Sequence, residues 1–116
     1  MAGMLDVQAA LERAGIPGYR AAYRDGDGDG RLPDVYAAWA LKTEPWDFCD
    51  DRAITLLHQL ELNLVSAYDP MEPLQAVMDA LAGEGFMLAG CQDGYDEAAD
   101  LYVIETTWRG VEQLGD

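Results

Sequence analysis

Residues 54–66 read I-T-L-L-H-Q-L-E-L-N-L-V-S, and this stretch decides the fold. The even positions are mostly apolar: Ile54, Leu56, Leu60, Leu62 and Leu64. Polar residues take the positions between them: Thr55, Gln59, Glu61 and Asn63. Because successive side chains of a strand point to opposite faces, the alternation predicts a long, half-buried strand over about residues 52–67. One broad face of the sheet is then left for water or for a partner.

Helical patterns lie on both sides of this strand. Apolar spacing over residues 5–14 predicts a first helix, which Gly15 and Pro17 would end. A second helix is predicted to begin at Asp69, as the N-cap, and Pro70, as the first helical residue. Its buried stripe follows the i, i+3, i+4, i+7 rule: Leu74, Val77, Met78 and Leu81.

Shorter patterns supply the rest of the sheet. Strands are predicted over residues 35–43, 86–92 and 101–111, with a turn-rich link at 44–51 and an acidic hairpin connection at 93–100. Residues 16–24 read as a connector or a short extended piece, and 25–30 as a loop. The order α-β-β-α-β-β predicts an α+β two-layer sandwich, in which an antiparallel sheet of about four strands is backed by two helices. The 116 residues form a single domain, 1–116.

The charge of the chain restricts its partners. The chain contains 22 acidic and 7 basic residues, so its formal net charge is -15. Duplex DNA repels such a surface, which argues against a conventional nucleic-acid reader. The charge indicates either a solubilising surface or a wall that DNA passes without adhering. The two cysteines, Cys49 and Cys91, read as reduced core or edge residues, and neither a signal peptide nor a membrane-spanning segment is predicted.

The loop at residues 25–30 contains a calcium-like motif. Asp25, Asp27 and Asp29 alternate with glycines as in the first half of an EF-hand loop, so their carboxylates could converge on a hard cation. Position 12 of that loop would be Tyr36 where a bidentate glutamate is required. The alternatives are a calcium site and an acidic loop that binds cations only weakly. No other cofactor is expected.

The sequence argues against an enzyme. His58 is the single histidine, and its place beside Leu56 and Leu60 indicates a packed, hydrogen-bonded core or interface residue. No nucleophile or carboxylate stands at a defining spacing from it, and no Cys-x-x-Cys, H-E-x-x-H or G-x-S-x-G motif occurs. We therefore predict no catalytic residues.

Four residues are candidates for contacts with partners. Trp46 and Phe48 fall in the predicted link beside Pro45, where they either anchor a contact or cap the end of the sheet. Tyr95 and Glu97 belong to the acidic segment that joins the last two strands, which by itself reads as a solvated turn.

Several motifs, in order, resemble the small tail-completion proteins (tail-terminator or head-tail joining proteins) of long-tailed phages and prophages. They are Gly15-Ile16-Pro17, Leu32-Pro33 with Tyr36, Phe48 with Asp50 and Asp51, Ser66-Ala67-Tyr68-Asp69, Leu81 through Gly85-Phe86, and Tyr95-Asp96-Glu97 with Leu101-Tyr102. The resemblance covers residues 5–112. The Asp-Gly repeat at 25–30 departs from the family's pattern as a loop insertion, and Cys49 stands where an alanine is usual.

The resemblance implies a non-enzymatic virion protein. Such proteins stack as a hexameric ring on the finished tail tube, contact the tail tube protein and the head-completion protein, and let DNA pass through the lumen. They assemble in the host cytoplasm and remain in the virion. Two other functions stay open from the residues alone: an acidic DNA mimic that inhibits a basic partner, and a calcium-binding module that acts through the 25–30 loop.

Overall fold

The computed structural model describes residues 4–20, 33–49 and 52–113. Over these ranges the chain forms α1 (Met4–Ala14), β1 (Gly18–Arg20), β2 (Val35–Cys49), β3 (Arg52–Ser66), α2 (Met71–Gly83), β4 (Met87–Asp96) and β5 (Leu101–Gln113). The predicted α+β class is confirmed, and β3 agrees with the strand predicted from its alternation to within a residue.

The sheet of the described chain has five strands in the order β1-β2-β3-β5-β4. Strands β2, β3, β5 and β4 pair antiparallel, whereas β1 pairs parallel with β2. The prediction of about four antiparallel strands was therefore incomplete, because β1 has three residues and is too short to show alternation. The Ala37 amide donates to the Pro17 carbonyl at 2.8 Å and ties β1 to the sheet.

The link predicted at residues 44–51 is wrong over 44–49, which belong to β2. Strand β2 continues to Cys49 and pairs with β3 from Val35↔Ser66 to Cys49↔Arg52. The register shifts on both sides of Asp47, so a bulge follows Pro45. Proline lacks the amide that an inner strand needs, and the sheet tolerates it here because β1 covers only residues 37–39 of the outer edge of β2.

Both helices contribute to one core on one side of the sheet. The core-facing strand residues are Val35, Ala37, Trp39, Leu60, Leu62, Leu64, Ile104 and Trp108. Against them pack Val7, Ala10 and Leu11 of α1 and Val77 and Leu81 of α2. Gln59, Glu61 and Asn63 lie on the opposite face at half-buried or exposed positions, as the alternation predicts. The result is a two-layer structure with a solvated sheet face.

The boundaries of α2 and β4 differ from those predicted. Helix α2 begins at Met71 with Pro70 at the N-cap position, while the Asp69 carboxylate accepts a hydrogen bond from the Met71 amide at 3.1 Å. Strand β4 runs to Asp96, so the hairpin turn is confined to residues 97–100 instead of 93–100. Acidic and glycine residues continue the strand because backbone pairing with β5 holds them there.

Candidate functional site

The solvated face of the sheet forms a shallow hollow with carboxylates in its lining. The residues that line it come from the three central strands: Ala38, Ala40, Glu61, Asn63, Glu105 and Thr107. The alanine side chains of β2 leave the hollow shallow on that side, and the carboxylates of Glu61 and Glu105 give it a negative charge. On the same face Gln59 donates to the Glu44 carboxylate at 3.2 Å. The face therefore presents carboxylates, an amide and small side chains.

Strand β4 is the most exposed element of the sheet. It lies at the edge, and every residue from Met87 to Asp96 except the half-buried Gly90 is exposed. The helices pack over the central strands and leave β4 uncovered on both faces. An edge strand of this kind presents unpaired amide and carbonyl groups to another chain. Among the described residues, the part of β2 that extends beyond the three-residue β1 forms a second open edge.

A groove lies between the first turn of α2 and β4. Its apolar part is formed by Met71, Leu74, Cys91, Tyr102 and Ile104, and Asp69 and Asp93 also line it. Met71 is 66% exposed. Sequence periodicity did not reveal this groove, because its residues come from three separate elements and only the sheet register brings them together.

The β4–β5 turn is ordered by its own carboxylates. Asp96 accepts hydrogen bonds from the amides of Ala98 and Ala99 at 3.1 and 3.2 Å. Asp100 has a positive φ of 58° and accepts a hydrogen bond from the Tyr95 hydroxyl. That bond, with desolvation and the nearby negative charges as smaller causes, raises the pKa of Tyr95 above its usual value. The turn is thus acidic and held by hydrogen bonds from its own residues.

His58 lies in a hydrogen-bonded network across three strands. Its side chain is buried, with Nδ1 2.7 Å from the Thr43 hydroxyl and Nε2 2.9 Å from the Glu112 carboxylate. An ionised carboxylate only accepts, so Nε2 donates to Glu112, and in the neutral imidazole Nδ1 accepts from Thr43. A hydroxyl, an imidazole and a carboxylate in series also occur in hydrolases. Here the series joins β2, β3 and β5, as expected for a hydrogen-bonded core histidine.

The structure places the predicted site residues in different ways. Asp25, Asp27 and Asp29 lie outside the described residues. The backbones of Trp46 and Phe48 belong to β2 instead of a link, and their side chains lie outside the described part. Tyr95 and Glu97 are both exposed, on β4 and in its turn. Tyr95 also packs edge-on against Tyr102, with ring centroids 5.0 Å apart.

Among the described residues, no group of three or more histidine, cysteine, aspartate or glutamate side chains is arranged to hold a metal ion. Neither helix in the described ranges is long and apolar enough to cross a membrane. Cys91, the cysteine whose side chain is described, is an exposed free thiol on β4.

Comparison with known proteins gives a likeness of fold. No family model matches the sequence, and no curated protein matches it. Among solved structures, the chain is similar to a chain of the virion of a native gene transfer agent (GTA) particle. The TM-score is 0.54 at 15% sequence identity, and the match covers 93% of this chain and 84% of the other. The fold is therefore shared over nearly the whole length.

Proposed function

We propose that this chain is a structural protein of a phage-like virion that caps the tail tube and forms the head-tail joining ring. In this role it is not an enzyme, needs no cofactor and acts through contacts with copies of itself, with the tail tube protein and with the head-completion protein. The single observation that carries the proposal is the fold shared with a virion chain over 93% of the sequence. The ordered motifs from Gly15 to Tyr102 support the finer assignment.

The sheet supports assembly into a ring. In a head-to-tail ring, one patch of each subunit binds a different patch of the next subunit. The ring closes when the rotation that relates neighbouring subunits is a whole fraction of a full turn. We assign these two patches to the outer edge of β2, which beyond β1 has no neighbour among the described residues, and to the polar face around Glu61 and Glu105. They are formed by adjacent strands of one rigid sheet, so their relative orientation is set by the fold.

The charge supports both passage of DNA and controlled assembly. Subunits of net charge -15 repel one another at low ionic strength, and salt screens that repulsion over a length of about 8 Å at physiological concentration. We therefore expect a free monomer at low salt and a ring on the tail, where contacts with the tube offset the repulsion. A negative lumen would let DNA pass without adhering.

Deletion of the gene from its phage or prophage tests the proposal. Particles without the protein are expected to carry tails of irregular length that fail to join heads, as counted in negative-stain images. Wild-type protein supplied in trans should restore joined particles of uniform tail length. Normal tails joined to heads in the deletion strain would overturn the proposal.

The acidic-inhibitor alternative makes a different prediction. An acidic DNA mimic would bind a basic DNA-binding protein tightly as a monomer, with affinity that falls steeply with salt. In that case the deletion would leave virions intact. The calcium alternative, which depends on Asp25, Asp27 and Asp29, predicts heat of calcium binding below millimolar concentration in a calorimetric titration.

A further inference from the structure

The exposed strand β4 and the groove beside it form one continuous surface. The pairings Cys91↔Thr106, Asp93↔Ile104 and Tyr95↔Tyr102 place these three β4 residues on the helix side of the sheet. Thr106 and Ile104 are covered by the core, whereas their β4 partners are exposed. The sheet therefore extends one strand beyond the helix layer, and its helix-side face at β4 alternates apolar, acidic and aromatic side chains.

We propose that β4 docks an extended segment of a partner protein that carries the pattern apolar-x-basic-x-apolar. Such a segment would add a strand to the open edge about 4.8 Å from β4, with alternate side chains beside Cys91, Asp93 and Tyr95. Its two apolar residues would lie next to Cys91 and Tyr95, and its basic residue next to Asp93. The pattern reads the same in both directions, so the recognition holds for parallel and antiparallel addition.

The groove wall and the outer face favour this occupant. Met71 and Leu74 of α2 stand above the helix-side face and offer apolar contact to the added strand. On the outer face the two positions between Cys91 and Tyr95 are Gln92 and Gly94, paired with Glu105 and Val103. The intervening residues of the segment therefore meet one neutral polar side chain and one glycine, whereas the charged group of this stretch, Asp93, lies on the helix side.

Charge selects a basic partner over a second copy. Asp69 and Asp93 line the groove, and further exposed carboxylates follow at the end of β4, from Asp96, and in the turn, from Glu97 and Asp100. In-register pairing of β4 with β4 of another copy would place Asp93 opposite Asp93, and like charges opposite one another destabilise a sheet. A chain of net charge -15 also repels its copy as a whole. The docking surface is separate from the β2 edge and polar face assigned above to the ring.

A peptide titration followed by NMR tests the docking surface. The probe is the capped peptide Thr-Val-Thr-Lys-Thr-Val-Thr, and the matched control peptide has Glu in place of Lys. Amide shifts of the labelled protein are expected to concentrate in Met87–Asp96 and in the first turn of α2. The Lys peptide should bind at least about threefold more tightly than the Glu peptide at moderate salt, in the range expected for a cross-strand charge pair.

A charge reversal separates local recognition from general attraction. Asp93 is exposed, so the Asp93→Lys variant should keep the fold, and the same spectra verify this. The variant should bind the Glu peptide more tightly than the Lys peptide. Glu61→Lys makes the same change of net charge on the polar face and should leave the preference for the Lys peptide in place. Asp93→Asn should reduce the preference without reversing it.

Three results would overturn the proposal. One is the absence of shifts in β4 at millimolar peptide. Another is an equal effect of Asp93→Lys and Glu61→Lys, which would indicate non-specific attraction to the acidic surface. The third is self-association of the protein in sedimentation experiments that broadens β4 amides and is abolished by Asp93→Lys, because a second copy would then be the occupant.

Discussion

The Nε2 atom of His58 lies 2.9 Å from a carboxylate oxygen of Glu112, although 54 residues separate the two in sequence. The contact crosses from β3 to β5, and the Thr43 hydroxyl continues it to β2 at 2.7 Å. His58 is buried and lies on the same face of the sheet as Leu60 and Leu62. The network therefore links the three central strands through side-chain hydrogen bonds.

We expect His58→Ala to lower the free energy of unfolding by about 1–3 kcal/mol, because Thr43 and Glu112 lose a shared buried partner. Glu112→Gln should cost less, since its amide oxygen still accepts from Nε2. Urea denaturation measures both values. Glu61→Gln, an exposed change of the same type, serves as the control, and an equal loss in that variant would contradict the role of the network.

Thr106 provides a second test of buried polar pairing. Its hydroxyl donates to the Leu62 carbonyl at 2.7 Å and accepts from the Trp108 indole at 2.8 Å, at 2% exposure. Thr106→Val should destabilise the protein by about 1–3 kcal/mol, because the indole N–H is left buried without an acceptor. Thr107→Val, at the exposed neighbouring position, should change the unfolding free energy by less than about 0.5 kcal/mol. Similar losses for the two variants would refute this account.

Two glycine substitutions should have opposite effects. A Cβ on Gly18 would lie 2.5 Å from a methyl group of Leu11, which is fully buried and would have to shift within the packed core. Gly18→Ala should therefore cost about 1–3 kcal/mol through overpacking. A Cβ on Gly83, in the last turn of α2, meets nothing within 4 Å, so Gly83→Ala should be neutral or stabilising by up to about 1 kcal/mol. Thermal and urea denaturation measure the unfolding free energy of both variants. Equal values for Gly18→Ala and Gly83→Ala would contradict the prediction.

The acidic turn should show in the titration of Tyr95. Its folded-state pKa is raised, chiefly by the hydrogen bond to Asp100, so folding favours the protonated phenol. The resulting contribution to stability is complete below the ordinary tyrosine pKa of about 10 and is lost as the pH rises through the folded-state pKa. In an NMR titration of the tyrosine ring carbons, Asp100→Asn should lower the pKa of Tyr95. An unchanged value would show that the hydrogen bond is not the cause.

The sequence was most informative where burial is one-sided and periodic. Strand β3 and the stripe of α2 lie in the middle of the structure, where one face meets the core over many residues, so their apolar spacing carries the signal. The same signal failed at the margins of the sheet. Strand β2 beyond Thr43 contains Pro45 and a bulge, and β4 is exposed on both faces, so neither alternates apolar with polar residues.

The candidate site was predictable only in part. Tyr95 and Glu97 stood out in the sequence because they lie in a run of acidic residues. Met71, Cys91 and Tyr102 did not, because a groove formed by a helix turn and two strands has no local pattern. Their proximity depends on the register of β4 against β5 and on the placement of α2.

By itself the sequence determined the α+β class, the central strand β3, helix α2 and the negative charge, since each of these depends on local periodicity or composition. The tertiary structure decided the parallel strand β1, the length of β2, the network of His58 and the exposure of β4. Those features depend on pairing between residues far apart in the chain, and their free energy comes from contacts that exist only after the sheet has formed.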